Sequence, residues 1–419
     1  CDMKKENSID IKTQVTWNTF GNFVLLFAQW GISVLLVRIA DFSEAGVFSL
    51  AMTIANVFAY IGNYSTRNFM TSDAGEEYSI QQYVTTRLVT ICMSFILCAI
   101  FLWGYGYGFE ITWAIFFYLL YANQTAFSDV LYGGMQKMGH LEIGGIACTV
   151  KGIACFLGFM FVALAGGGLL LAMAVMALVA YLVMLFYEFP RYQAVVGWRK
   201  TSIHTQIPAV VRLLKQCFPL MLSTVIPTIT VAVPRVLVER VLGESFLGIY
   251  SSIYTPTVII TTLVPSVITG IIPLYAKTWS SQKYARFIKL LLFTLFGVLG
   301  LGIAGCIAAF FFGKPVMILL FGPEIEPYFP LLYLAILATT VCALTSCGTA
   351  LLTVQRKLNH TLFSAIAALI VVLVASNSLI EINGLYGAAY ALGIAYLAQV
   401  IWQIIAIVYG LVKQYRICR

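Results

Sequence analysis

Residues 227–250 read PTITVAVPRVLVERVLGESFLGIY. An apolar segment interrupted by Pro227 and Pro234 carries Arg235, Glu239 and Arg240, then turns at Gly243 and runs on through Gly248, Ile249 and Tyr250. The first half of the chain holds an echo: residues 34–49 read VLLVRIADFSEAGVFS. Arg38 precedes Gly46 by eight residues, as Arg240 precedes Gly248, and each glycine is followed by an apolar residue, an aromatic and a serine (Val47-Phe48-Ser49 and Ile249-Tyr250-Ser251). The offset, 202 positions, is close to half of the 419 residues. Two related halves meeting at a cleft are predicted, with the charged helix ends beside it as the first candidates for function.

Composition sets the class. Hydrophobic residues make up 61% of the chain and charged residues 10%, against about 25% charged in soluble proteins. Apolar runs of roughly 20 residues recur, each long enough to cross a ~30 Å hydrocarbon layer. Backbone polar groups in lipid have to be paired internally, so the runs are helices or barrel strands, and they are too long and too unalternating for strands. The expected fold is an all-α integral membrane protein of about twelve transmembrane helices. The ten cysteines are scattered, mostly within apolar runs, with no Cys-x-x-Cys or Cys/His cluster, so they read as small core residues rather than metal ligands or disulfides. No cofactor or metal motif is present. The net charge of +8 resides between the apolar runs and reflects orientation rather than nucleic-acid binding.

The spans are predicted at 15–38, 44–66, 83–104, 111–132, 141–164, 168–188, 213–240, 246–275, 285–312, 328–353, 360–380 and 384–411. The first follows Lys4, Lys5 and Lys12, lacks a small-residue cleavage site and leads straight into the second, so it is expected to be retained. The stretch 189–212, with Arg191, Arg199, Lys200 and Arg212, is the longest gap. It reads as a cytoplasmic linker between an N-terminal six-helix lobe (1–188) and a C-terminal one (213–419). With the N-terminus in the cytoplasm, twenty of the 25 Lys and Arg residues fall at the termini or the even-numbered loops, and three (Arg38, Arg240, Lys314) on the opposite face. That bias places both termini in the cytoplasm. The turns LYGGMQKMGH (131–140) and LLTVQRKLNH (351–360) form a second match between the halves, pairing Lys137 with Lys357 and His140 with His360. Matching spans keep one orientation, so the repeat is parallel, an arrangement in which transporters bind substrate between the repeats.

Polar residues fall on stripes. The first span carries Asn18, Asn22, Gln29 and Ser33 on one helical face, the second Thr53, Asn56, Tyr60, Asn63, Tyr64 and Arg67, the eighth Ser251, Thr255, Thr262, Ser266 and Thr269. Helix–helix packing accounts for any one stripe; three at the starts of the halves fit the walls of an aqueous cavity better. Pro227, Pro234, Pro256, Pro265 and Pro273 fall in the seventh and eighth spans, where they are expected to kink the helices and free carbonyls. Lys151 is near the middle of the fifth span, where a charge costs at least ~2.5–3.5 kcal/mol unless it faces protein or water. Arg235 has Glu239 one turn on as a pairing partner. Arg67 and Arg87 flank a cytoplasmic loop and read as membrane anchors. Asp129 reads as the one acidic residue within a span, there to relay a proton or sodium ion or to pair with Lys137. The intramembrane set is thus cationic and asks for an anionic ligand; phosphate or diphosphate suits the planar fork of arginine. Glu324 and Glu326, the only close acidic pair in the 313–327 loop, read as ordinary solvated residues, which speaks against a membrane-embedded glycosyltransferase or polymerase.

The arginine closing the first span, the short acidic turn and the Gly-aromatic-Ser opening the second (Arg38, Gly46, Phe48, Ser49), their repeat (Arg240, Gly248, Tyr250, Ser251) and GGMQKMGH resemble the polysaccharide flippases of the multidrug/oligosaccharidyl-lipid/polysaccharide exporter superfamily. The resemblance implies two six-helix lobes in a V, with the first, second, seventh and eighth helices lining a central cavity. It implies a non-enzymatic carrier in the bacterial inner membrane. That carrier moves undecaprenyl-diphosphate-linked oligosaccharide outward by alternating access, usually coupled to H+ or Na+, and feeds polysaccharide polymerase and ligase machinery. Under it, Arg38, Arg67, Arg235 and Arg240 lie on cavity helices and join Lys151 as candidate anion ligands. Asn22, Gln29, Asn56, Tyr60 and Asn63 are the candidate sugar contacts, and Asp129 and Glu239 the candidates for ion coupling. A multidrug exporter of the same superfamily is the alternative.

Overall fold

The computed structural model describes residues 11–73, 77–197, 207–281 and 284–417, and every regular element among them is helical. Each predicted span has its helix: α1 (Ile11–Ile39), α2 (Phe42–Ser72), α3 (Ile80–Tyr105), α4 (Phe109–Lys137), α5 (Leu141–Leu164), α6 (Gly168–Val196), α7 (Ile207–Leu242), α8 (Glu244–Ser280), α9 (Ala285–Phe321), α10 (Leu331–Val354), α11 (Leu358–Asn383) and α12 (Leu385–Ile417). Eleven are long and apolar enough to cross a membrane. The remaining one, α4, is as long but carries Asn123, Gln124, Ser128 and Asp129 in its middle, and these make the site described below. The protein is a multi-pass membrane protein.

Local chemistry sets the ends. Ser79 caps α3 with a capping box, its hydroxyl accepting from the Gln82 amide while the Gln82 side chain accepts from the Ser79 amide. Gly243 separates α7 from α8 at φ 97°, a left-handed conformation that glycine adopts without steric cost. Inside α2 the helix breaks at Tyr64 (φ 48°) and Ser65 (φ 52°), then resumes over Thr66–Ser72.

The chain divides into two compact units, Cys1–Ala40 with Val47–Val225, and Asp41–Gly46 with Ile226–Arg419. In the first, α1 lies on α5 at backbone distance: a Cβ on Gly21 would overlap the Gly145 carbonyl, one on Gly145 the Trp17 carbonyl, and one on Gly152 would crowd Leu25. Small residues at a helix crossing gain close dispersion contact where lipid supplies no hydrophobic drive. Phe48, Tyr118 and Phe159 pack edge to face beside this crossing. In the second unit α10 packs against α8, α9 and α12, and Gln403, fully buried, donates to Thr349 and Ser364 at 3.2 and 3.4 Å.

Several expectations change. Of the stretch 189–212, residues 189–196 continue α6 and 207–212 open α7, while 198–206 lie outside the described residues. The 313–327 loop is mostly helix: α9 passes through a π-turn at Ala309–Gly313 and continues to Phe321, and Lys314 pairs with Glu326 at 2.6 Å. The prolines of α7 leave its helix continuous; only Pro256 coincides with a change, the 3₁₀ turn Thr255–Thr257 of α8. The second sequence match is out of register. Lys137 is the last residue of α4, whereas Lys357 caps the start of α11, and the helix starts Leu141 and Leu358 differ by 217 positions rather than 220. By that register the counterpart of Lys151 is Ala368, so the buried charge belongs to one half only. The repeat therefore rests on the first match.

Candidate functional site

Polar groups concentrate in two clusters of the first unit. The first is at the end of α2 that the charge pattern assigns to the cytoplasm. Past the break at Tyr64 and Ser65, Arg67 lies along α4. Its Nη1 donates to Asp129 Oδ1 at 2.9 Å and its Nη2 to Gln136 Oε1 at 3.0 Å. Asp129, Gly133 and Gln136 are on one face of α4, and Gly133 leaves room for the arginine stem: a Cβ there would be 3.1 Å from Arg67 Cγ. From α3, Arg87 Nη2 donates to Asp129 Oδ2 at 3.3 Å and to Thr66 Oγ1 at 2.7 Å. Asn63 Nδ2 donates to the same Oδ2 at 3.4 Å.

Asp129 thus serves two arginines, and of its two expected roles the pairing with Lys137 is not made: Lys137 donates to the Asp73 carbonyl at 3.1 Å. Arg87 is no anchor at the membrane surface. Its side chain is 0% exposed, whereas Arg67 and Asp129 are 23% and 24% exposed. A signal for it was in the sequence: Tyr83, Arg87, Thr90 and Ser94 form a stripe of the same kind as those on α1 and α2, and all four are buried.

The second cluster holds Lys151. Its Nζ is 3.7 Å from Glu188 Oε1, both side chains are 0% exposed, and it lies 5.9 Å from the Tyr132 ring. Glu188 also accepts from Tyr132 OH at 2.7 Å and from Ser128, to which Gln124 donates at 2.8 Å. The expectation that Asp129 is the one acidic residue within a span is overturned. Glu188 was placed at the end of the apolar run, but α6 continues through a π-turn at Met184–Glu188 for another helical segment, which draws the carboxylate inside. Lys151 is therefore enclosed beside Glu188 as an ion pair, its Nζ without a hydrogen-bond partner of its own among the described residues, while Glu188 takes its hydrogen bonds from Tyr132 and Ser128.

The candidate sugar contacts are spread along the accessible sides of their helices. Asn22 and Tyr60 are exposed; Gln29, Asn56 and Asn63 are half-buried. Asn22 bonds the Asn18 carbonyl at 2.7 Å, and the α8 hydroxyls of Thr255, Thr262, Ser266 and Thr269 each bond a carbonyl one turn back, at 2.8–2.9 Å. Arg38 and Arg240 are exposed at the ends of α1 and α7, and Arg235 and Glu239 are half-buried on α7. The structure joins Asn63, Arg67 and Asp129 in one cluster of the first unit; Arg235, Glu239 and Arg240 belong to the second. Among the described residues no group of His, Cys, Asp and Glu is arranged to hold a metal.

Comparison with known proteins agrees with this architecture. The family model described as polysaccharide biosynthesis protein matches residues 11–279. The capsular polysaccharide biosynthesis protein CapF of Staphylococcus aureus is 23% identical over 307 residues, 72% of this chain and 75% of that protein. Among solved structures, an inward-facing multidrug resistance transporter of the MATE family in the MOP superfamily superposes with a TM-score of 0.73 at 13% identity, covering 96% of this chain and 98% of the other. The lipid II flippase MurJ, in an inward closed conformation, gives 0.71 at 14% identity, covering 96% and 89%. The resemblance read from the helix-end motifs is borne out, and the fold is that of these transporters.

Proposed function

Because the chain belongs to the polysaccharide biosynthesis protein family, we propose that it is a carrier that flips an undecaprenyl-diphosphate-linked oligosaccharide from the cytoplasmic to the outer leaflet of a bacterial inner membrane. The observation that carries this reading is the surplus of positive charge in the α2–α4 cluster, where Arg67 and Arg87 share the single carboxylate of Asp129. A charge held within a membrane is costly, and a surplus guanidinium there is best explained by an anionic ligand, whose phosphate oxygens match the arginine fork. A carrier of cationic drugs has no use for it.

In this reading the polyprenyl tail stays in lipid and the sugar meets Asn22, Gln29, Asn56, Tyr60 and Asn63. The diphosphate meets Arg67 and, in the course of alternating access, Arg38, Arg235 and Arg240. Lys151 is left out of the ligand set because Glu188 already neutralises it in a closed core. No bond is made or broken, both termini are cytoplasmic, and the product passes to polymerase and ligase machinery. Asp129 and Glu239 are the carboxylates through which an H+ or Na+ gradient would act. The test is reconstitution in liposomes with a fluorescent polyprenyl-diphosphate oligosaccharide and a membrane-impermeant quencher. Protein-dependent loss of inner-leaflet label is expected. Label that flips no faster than in empty vesicles, alongside uptake of cationic drugs by the same vesicles, would replace the reading with a multidrug exporter.

A further inference from the structure

We propose that Arg67, Arg87 and Asp129 form a phosphate-binding site in which Asp129 is an internal competitor, holding the arginines until the phosphate group of a membrane lipid displaces it. The proposal rests on the carrier reading above and names the groups that would receive the phosphate first.

Four observations carry it. Charge is unbalanced, since Asp129 is the carboxylate paired with these two guanidiniums among the described residues. The pairing is also split. A carboxylate facing one arginine takes both oxygens in a fork; here Oδ1 serves Arg67 while Oδ2 is shared by Arg87 and Asn63, the last two at 3.3 and 3.4 Å. Three donor groups converge on two oxygens, whereas a phosphate brings more acceptors and more charge. Third, Arg87 Nε and Nη1 are enclosed without an acceptor on a side chain that reaches Asp129 through its other nitrogen. Buried donors left unsatisfied cost free energy, so the ligand-free cluster is the less satisfied of its two states. Last, Arg67 and Asp129 are each about a quarter exposed while Arg87 is enclosed. A ligand can therefore reach the outer arginine and the competing carboxylate first, with the inner arginine fixed by Thr66 as the floor.

A merely structural Asp129 and a competing one make opposite predictions. If the carboxylate only holds the arginines in place, Asp129→Asn weakens phosphate binding; if it competes, the same change tightens it. The measurement is ligand affinity from the thermal shift of the full chain in phosphatidylcholine nanodiscs at fixed ionic strength. The probes are inorganic pyrophosphate, undecaprenyl diphosphate and phosphatidylglycerol. Wild type is expected to bind at least one, Asp129→Asn about tenfold more tightly, and Arg67→Gln at least tenfold more weakly. Arg67→Gln keeps the buried Asp129–Arg87 pair, so it decides the matter if Asp129→Asn fails to fold. A preference for undecaprenyl diphosphate assigns the site to the carrier lipid, for phosphatidylglycerol to a phospholipid headgroup, and equal response to pyrophosphate to phosphate alone. Affinity unchanged in Arg67→Gln, or no tighter in a folded Asp129→Asn, overturns the site. If wild type binds the carrier lipid undiminished in Arg67→Gln, the carrier reading stands without it. If wild type binds none of the three, both fall.

Discussion

Gly46 and Gly248, 202 positions apart in sequence, meet reciprocally in space: a methyl on Gly46 would overlap the carbonyl oxygen of Glu244, and a methyl on Gly248 the carbonyl oxygen of Phe42. Phe42 and Glu244 are themselves 202 apart. The two helix starts therefore cross through equivalent residues, and Ser43 adds a hydrogen bond to Glu244 at 3.0 Å. Backbone cannot yield as a side chain does, so Gly46→Ala and Gly248→Ala should each lower stability by about 1–3 kcal/mol through overpacking. One separation of the same two segments relieves both clashes, so the double variant should cost less than the sum. Unfolding of the four forms in detergent would test this, and simple additivity would mean that the crossing does not act as a unit.

Lys151 and Glu188 make a different kind of prediction. A fully enclosed ion pair is expensive to break, because the partner left behind is a buried charge; the usual loss is ~3–5 kcal/mol. Lys151→Met should therefore be severely destabilising and Lys151→Met with Glu188→Gln much less so, with flipping retained in the double variant. Recovery of stability without recovery of transport would return Lys151 to the transport mechanism.

The two clusters show what the sequence makes legible. Twelve spans, their repeat and the superfamily resemblance follow from apolar run length and from motifs at helix ends, which are local signals. Arg87 and Glu188 were missed because each is judged by depth, and depth was set where the apolar run stopped. Helix α6 passes that point by eight residues, Glu188 to Val196, and Arg87 is covered by Thr66 and Asp129 from helices distant in sequence. Which residue pairs with which depends on helix packing, and periodicity carries no record of it beyond the stripes. The register slip between Lys137 and Lys357 has the same origin: a short string matched by identity, whereas the turns align by where their helices begin.

Asp73, just beyond α2 and outside the spans, should set an acid limb of stability. Burial opposes its ionisation, but the amides of Glu77 and Tyr78, at 3.1 and 3.2 Å, the Tyr83 hydroxyl at 3.1 Å and the nearby Lys137 charge outweigh it and hold the carboxyl below its ordinary value. A depressed folded-state pKa contributes stability that is fully present above the unfolded value, ~4, and is lost as pH falls through the folded one. Melting temperature should thus decline on acidification below about pH 4. In Asp73→Asn it should be lower at pH 7 and decline less over that range; an acid limb of unchanged size in the variant would assign it to other carboxylates.

Gly133 tests whether the position of Arg67, and not only its charge, matters. The glycine is between Asp129 and Gln136 on α4, and the arginine stem and the Met70 methyl occupy the space a side chain would fill. An alanine needs the Met70 methyl to move and the stem to yield by a few tenths of an ångström, which flexible side chains can do. A valine pushes a branched group into the stem and should lift the guanidinium off both acceptors, whose bonds are 2.9 and 3.0 Å long. Gly133→Ala should therefore flip label at close to the wild-type rate. Gly133→Val should lose most of it, about as much as Arg67→Gln, while costing ~1–3 kcal/mol in stability as an overpacked site does. Asp129 and Arg87 keep their pair in that variant, so the charge of the cluster is unchanged and only the reach of Arg67 is altered. Wild-type flipping in a folded Gly133→Val would show that the bonds from Arg67 to α4 are dispensable, and would leave its charge alone as the contribution to the cluster.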